Sequence, residues 1–257
     1  MLSTFCTHSF NMLPPYEEGL GVGLLFFLAL GAAFIQRVSG FGFGIFIMTA
    51  LPYLMPTYGE ATTLSGLMAI ITSAIIVSKM YKYIVWRKLL PILITFLVIS
   101  WFAIQFVSLA GDGLLKRILG VVLILASIWF FFLSDKIHIS PSLPMQISMG
   151  TISGAMGGLF GMQGPPAVLY FLASAERKEE YMAMAQCYFL VGNVMMTVFR
   201  ASHGFLTANV GIAWCYSIAA VLLGTWLGAM VFRKIPINLL RKIIYAYMGI
   251  SGIIALL

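Results

Sequence analysis

Apolar residues run through this chain in blocks long enough to cross a bilayer, with short polar stretches between them. Six blocks, at about 61–78, 89–109, 114–133, 181–201, 208–232 and 237–257, each come close to the roughly 20 residues that one crossing needs. Two blocks differ. Residues 20–55 form a run of 36, too long for one untilted span, and are interrupted by Ser39, Gly40, Phe41, Gly42, Phe43 and Gly44. Residues 145–173 are interrupted by Gly157, Gly158, Gly161 and Gly164, directly followed by Pro165 and Pro166. Glycine frees the backbone to bend, and proline removes an N–H while fixing φ at a value suited to the first turn of a new helix. The pattern therefore predicts two broken helices, 20–36 with 45–55 and 145–160 with 165–173.

The breaks stand at matching places in two halves. An offset of about 120 relates them, and an offset of 125 carries Trp101 onto Trp226, Ser100 onto Thr225, and Lys116 and Arg117 onto Arg241 and Lys242. The polar stretch 134–144 is the linker between repeats at 20–133 and 145–257, each of four apolar blocks, with residues 1–19 as an N-terminal tail. Charge decides how the blocks cross. If each of the eight crosses once, the loop lysines and arginines divide six against eight, which orients nothing. If the two broken blocks turn back to the side they came from, eleven share one side and only Lys116, Arg117 and Arg200 the other, as the positive-inside rule requires. The expected fold is an all-α polytopic membrane protein of two inverted repeats, each a re-entrant helical hairpin followed by three transmembrane helices. Both termini then lie outside, with the tail extracytoplasmic.

Composition strengthens this reading. Of 257 residues 61% are hydrophobic and 9% charged, against roughly 25% charged in soluble domains, and mean hydropathy is +1.01. A transmembrane barrel would instead show segments of about ten residues with alternating polarity. The net charge of +7 does not mark a nucleic-acid binder, because the basic residues flank apolar runs rather than line one polar face. The three cysteines, Cys6, Cys187 and Cys215, have no metal-ligand spacing and are expected to be unpaired. Residues 1–19 hold Glu17 and Glu18 but no Lys or Arg, so they lack the basic n-region of a signal peptide. No cofactor is implied.

Paired breaks in two halves mark a transporter binding site, since half-helix N-termini near the midplane carry partial positive charge and exposed N–H groups. These lie at about 43–46 and 164–168. Arg37 directly precedes the first break, and a cation at that depth costs about 3 kcal/mol on an insertion scale, which marks it as functional. The candidate substrate-binding set is Arg37, Ser39, Gly40, Gly42, Phe43, Gly44, Gly161, Gln163, Gly164, Pro165, Gln186 and Asn193. Glycine breaks also serve close packing, Arg37 can snorkel, and Gln36, Gln163, Gln186 and Asn193 equally suit interhelical hydrogen bonds. All eight acidic residues map to loops or termini, so an anionic cargo is favoured, and a co-transported proton or cation would have to use His203, the substrate, or oxygens such as those of Ser39 and Thr49. An intramembrane hydrolase with Ser39 or Ser153 as nucleophile and His203 as base lacks an orienting acid, and the Gly150 to Gly154 stretch matches a serine-protease loop only weakly.

The run Ser39 to Gly44 with Pro52 downstream, and the run Ser153 to Pro166 with Tyr170 downstream, resemble the paired signatures of the TauE/SafE family of sulfite exporters. The resemblance covers nearly the whole chain from about residue 18, and the Gly161 to Pro166 core is its more specific part. It implies transport of sulfite, a sulfonate or a related small organosulfur anion. The expected protein is a plasma-membrane secondary transporter, or else an anion channel, with a homo-oligomer possible.

Overall fold

The computed structural model describes residues 18–109, 111–132 and 142–231. Most of the tail 1–19, most of the linker 134–144, the eighth block 237–257 and the basic residues Lys136, Arg233, Lys234, Arg241 and Lys242 lie outside them. The described residues form α-helices joined by short loops, with one 3-10 turn at Tyr81–Tyr83 and no strand: α1 Glu18–Ser39, α2 Phe43–Ile47, α3 Leu51–Leu54, α4 Tyr58–Met80, α5 Trp86–Leu109, α6 Asp112–Phe132, α7 Leu143–Phe160, α8 Gly164–Ser174, α9 Lys178–Ser202 and α10 Ala208–Val231. Among the described residues five stretches are long and apolar enough to cross a membrane: Gly21–Ser39, Tyr58–Tyr83, Trp86–Val107, Glu179–Ser202 and Ala208–Val231. Phe27, Phe102 and Trp226 are among the large apolar side chains that face outward, where lipid would take the place of a protein core.

Both expected breaks are present, with local adjustments. The first helix continues through Arg37 to Ser39, rather than stopping at residue 36. It ends because Gly40 takes φ 83°, and the Ser39 hydroxyl stitches the turn, 2.8 Å from the Ile35 carbonyl and 2.7 Å from the Phe41 carbonyl. The segment expected at 45–55 is two short helices. Pro52 falls in the first turn of α3, where its missing N–H costs nothing, and could not have continued α2. In the second half α7 ends at Gly161, φ 68°, and α8 restarts at Gly164 with Gln163 as its N-cap residue.

The helices pack as α5 on α7, α1 on α10 and α4 on α9. Glycines let the first two pairs approach closely. A Cβ at Gly154 would lie 2.8 Å from the Phe96 carbonyl oxygen and 2.9 Å from Ile99, and one at Gly158 would press on Ala103 at 2.5 Å. On the other side a Cβ at Gly224 would overlap the Leu30 carbonyl and press on Ala33, and one at Gly228 would lie 2.8 Å from the Cβ of Arg37.

Polar contacts tie the helix ends into two layers. At one end Lys88 Nζ donates to the Ser174 carbonyl at 2.7 Å and pairs with Glu180 at 2.8 Å. At the other end the Thr207 hydroxyl donates to Glu60 at 2.6 Å, and the Tyr58 N–H donates to Asp112 at 3.2 Å. Gln146, near the start of α7, bonds the Tyr170 hydroxyl on α8 at 2.5 Å, so these two helices form an antiparallel hairpin. Glu60 and Glu180, expected in loops, are buried in the first turns of α4 and α9. There the Glu60 carboxylate accepts the Thr57 N–H and closes a capping box, while the Glu180 carboxylate accepts the Glu176 N–H.

Candidate functional site

The two breaks meet backbone to backbone. A side chain on Gly44 would overlap the Gly161 carbonyl oxygen, so a residue with a Cβ at position 44 would push the breaks apart. The cavity between them, about 30 Å³, is lined by Gln36 of α1, by 41–45 and 161–164 of the breaks, by Ser65 and Ala69 of α4, and by Phe189 and Asn193 of α9. That space admits about two waters.

Neutral amides dominate its polar chemistry. Gln36 Nε2 donates to Ser73 Oγ at 2.9 Å and to Gln186 Oε1 at 3.0 Å, and Gln186 Nε2 donates to the Gly40 carbonyl at 2.8 Å. Gln163 Nε2 donates to Asn193 Oδ1 at 2.9 Å. The side-chain oxygens of Gln36 and Gln163 are buried without a partner, each an open valence beside the cavity that a donor could fill, or that the amide could exchange for an NH₂ by turning over. Behind the second break the Ser153 hydroxyl bonds the Gln163 carbonyl and accepts from the Tyr188 hydroxyl at 2.7 Å. Four helix ends converge here, and their dipoles differ in strength. The N-terminal ends are weaker anion ligands than expected, because α2 has only five residues and prolines at 165 and 166 remove two N–H groups from the first turn of α8. The Phe46 N–H is also bonded, to the Gly42 carbonyl at 2.9 Å.

Of the candidate residues, Gly42, Phe43, Gly44, Gly161, Gln163, Gly164 and Asn193 line this cavity. Gln186 lies one layer back and holds the first break against α9. Ser39 is fully buried with its hydroxyl on backbone carbonyls, and Gly40 packs against Tyr181. The side chain of Pro165 lies outside the described residues. Arg37 does not join the cavity: one residue along α1 from Gln36, it turns into a separate crevice with Lys79, Tyr83, Glu179, Thr225 and Trp226. Gln36, weighed as interhelical glue, both lines the cavity and bonds α4 and α9.

Arg200, counted as a loop charge, is instead 1% exposed. Its guanidinium donates to the carbonyls of Thr62 at 3.2 Å, Gly157 at 2.9 Å and Gly158 at 3.1 Å, where it meets the negative end of the α7 dipole. A Cβ at Gly66 would touch both its Nη1 and Asn193 Oδ1, so this cation stands one layer behind the cavity wall. The sequence held a signal for it: Gln186, Asn193, Thr197 and Arg200 follow one another at steps of seven, four and three, a single helix face. Among the described residues neither serine suggested as a nucleophile bonds His203, whose Nδ1 lies 2.8 Å from the Phe199 carbonyl.

The model of the family described as "Sulfite exporter TauE/SafE" matches residues 25–254, a span that holds both breaks. The chain belongs to the TauE/SafE family. It is thus a membrane transporter and not an enzyme. A "Probable sulfite/organosulfonate exporter TauE" from Cupriavidus necator is 29% identical over 226 residues, covering 84% of each chain. A probable membrane transporter protein from Methanocaldococcus jannaschii is 24% identical over 269 aligned positions, 94% of this chain and 98% of that one. No solved structure matches this TauE/SafE chain.

Proposed function

We propose that this TauE/SafE protein is a secondary transporter that carries sulfite, a sulfonate or a related small anion across the plasma membrane. The substrate is held between the two helix breaks, at the interface of two inverted repeats at 20–133 and 145–257. The observation that carries the reading is the contact of the breaks, Gly44 against Gly161, around a cavity walled by Gln36, Ser65, Gln163 and Asn193. Gln163, Asn193 and Ser65 supply neutral donors, and the buried charge of Arg200 biases the region toward an anion. Arg37 is left out of this set because it opens into the other crevice.

The packing register supports two repeats. Gly154 meets Ile99 as Ala33 meets Gly224, and Gly158 meets Ala103 as Arg37 meets Gly228. In each comparison the equivalent residues of the two contacts stand 121 and 125 positions apart in the chain, matching the offsets of the sequence. The end layers support the hairpin topology, since Lys88 with Glu180, and Glu60 with Thr207, pair loops that one crossing per block would put on opposite faces. A cavity this small favours a carrier that must part its breaks to load, over an open channel for the same anions.

Sulfite and methanesulfonate flux in proteoliposomes tests the reading, with Gln163→Ala and Asn193→Ala expected to lower kcat/KM about tenfold or more, one lost hydrogen bond to a charged ligand each. Undiminished flux in both variants would sink the site. Single-protein currents too large for carrier turnover would sink the carrier.

A further inference from the structure

The last turn of α1 is a wall with two faces: Gln36 lines the cavity between the breaks, and Arg37 lines a crevice of about 460 Å³ between α1, α4 and α10. The crevice exceeds what a four-atom oxyanion fills and falls within the range of sites for drug-sized ligands. Its lining is amphipathic. Arg37 and Lys79 outnumber Glu179 by one positive charge, while Leu222 and Trp226, 46% and 59% exposed, form an apolar lip on α10. The polar part sits at interface depth, at the last turn of α4 and the Tyr81–Tyr83 turn, where Tyr81, Tyr83 and Trp86 are exposed. This is also the layer of Lys88 and Arg87, on the side where the basic residues gather. Gly228 gives the Arg37 stem its course, since a Cβ there would lie 2.8 Å from the Arg37 Cβ.

We propose that this crevice binds the headgroup of an anionic phospholipid. The phosphate meets Arg37 and Lys79, Glu179 accepts from a headgroup hydroxyl, and an acyl chain runs along Leu222 and Trp226. A free anion would meet the two cations but leave the apolar lip uncovered, so the lip and the volume together select an amphiphile. Because the same turn of α1 carries Gln36, a bound lipid braces one wall of the transport cavity. The inference needs only the placement of the helices in a membrane, not the identity of the cargo.

Native mass spectrometry of the purified protein, with phosphatidylglycerol offered against phosphatidylcholine, measures retention without any transport, so failure here leaves the transport reading standing. Wild type is expected to retain phosphatidylglycerol preferentially. Arg37→Gln combined with Lys79→Gln should lower that preference about fivefold per basic residue removed, and Arg87→Gln, exposed in the same layer but outside the crevice, should keep it. A local readout uses the folded wild type: phosphatidylglycerol with brominated acyl chains should quench fluorescence that Trp226→Phe removes. Equal retention of the two lipids, or quenching unchanged in Trp226→Phe, overturns the proposal. So does displacement of the retained lipid by inorganic phosphate or methanesulfonate, which would assign the crevice to a soluble oxyanion.

Discussion

Arg200→Lys separates the two things that Arg200 supplies, a charge and a planar fork of donors. Arginine reaches three carbonyls, on Thr62, Gly157 and Gly158, from a site that is 1% exposed. Lysine keeps the charge but concentrates it in a compact, strongly hydrated ammonium that cannot span α4 and α7 at once. The Gly157 carbonyl still accepts the Gly161 N–H at 2.9 Å, and Thr62 lies inside α4, where its carbonyl keeps an intrahelical bond, so the main loss falls on Gly158. One forfeited charge-assisted bond costs about 2 kcal/mol, and a poorer match to the α7 dipole adds about 1 kcal/mol. The total of about 3 kcal/mol corresponds to a Tm fall of roughly 6–12 °C for a chain of this size. Thermal unfolding in detergent, followed by tryptophan fluorescence, reads it directly. Arg200→Met should fall by less than Lys, because removing the charge also removes its desolvation cost. If Lys stays within about 0.5 kcal/mol of wild type and Met does not, charge rather than fork geometry holds this joint, and the argument fails.

Other outcomes follow from the packing. Gly44→Ala should abolish flux and lower the yield of folded protein, since its methyl would occupy the Gly161 carbonyl oxygen; size-exclusion profiles and flux measurements check it. Gly211→Ala, with nothing within 4 Å of the added carbon, should raise stability by up to about 1 kcal/mol, visible as a Tm gain. A double-mutant cycle on Lys88→Met and Glu180→Gln should return a coupling of about 1 kcal/mol, because the pair is partly buried; additive Tm shifts would refute it. In a Cys6→Ser background a membrane-permeant maleimide at alkaline pH should label Cys215, exposed on α10, faster than the buried Cys187; mass spectrometry counts the adducts.

Periodicity and breakers were enough to find the helices. Glycine and proline act locally on φ and on N–H supply, so the breaks at Gly40 and Gly161 fall where the residues themselves demand them. The long apolar helices were legible for the same reason, because backbone satisfaction and apolar length are properties of each segment alone. Residue roles were less legible. The hydroxyl of Ser39, a candidate ligand by sequence, closes the end of α1 on the Ile35 and Phe41 carbonyls, a contact the sequence does not announce. Arg37 and Gln36 are neighbours in sequence, yet a 100° helical step sends them to different cavities. Glu60 and Glu180 were placed in loops because a single sequence cannot say how deeply a first helical turn will be covered.

The sequence by itself determined that this is a helical membrane chain with two interrupted segments, and its signatures placed it in the TauE/SafE family. Only the tertiary structure decided that the breaks touch, that Gln36 and Ser65 join the cavity, and that Arg37 leaves it for the crevice beside α10. It also moved Arg200 from a presumed loop to a buried clasp on α7. The physical reason is one of range. Helix formation and membrane length depend on residues a few positions apart, whereas a cavity is made by side chains from α1, α4 and α9 and from the two breaks, which only the folded chain brings together.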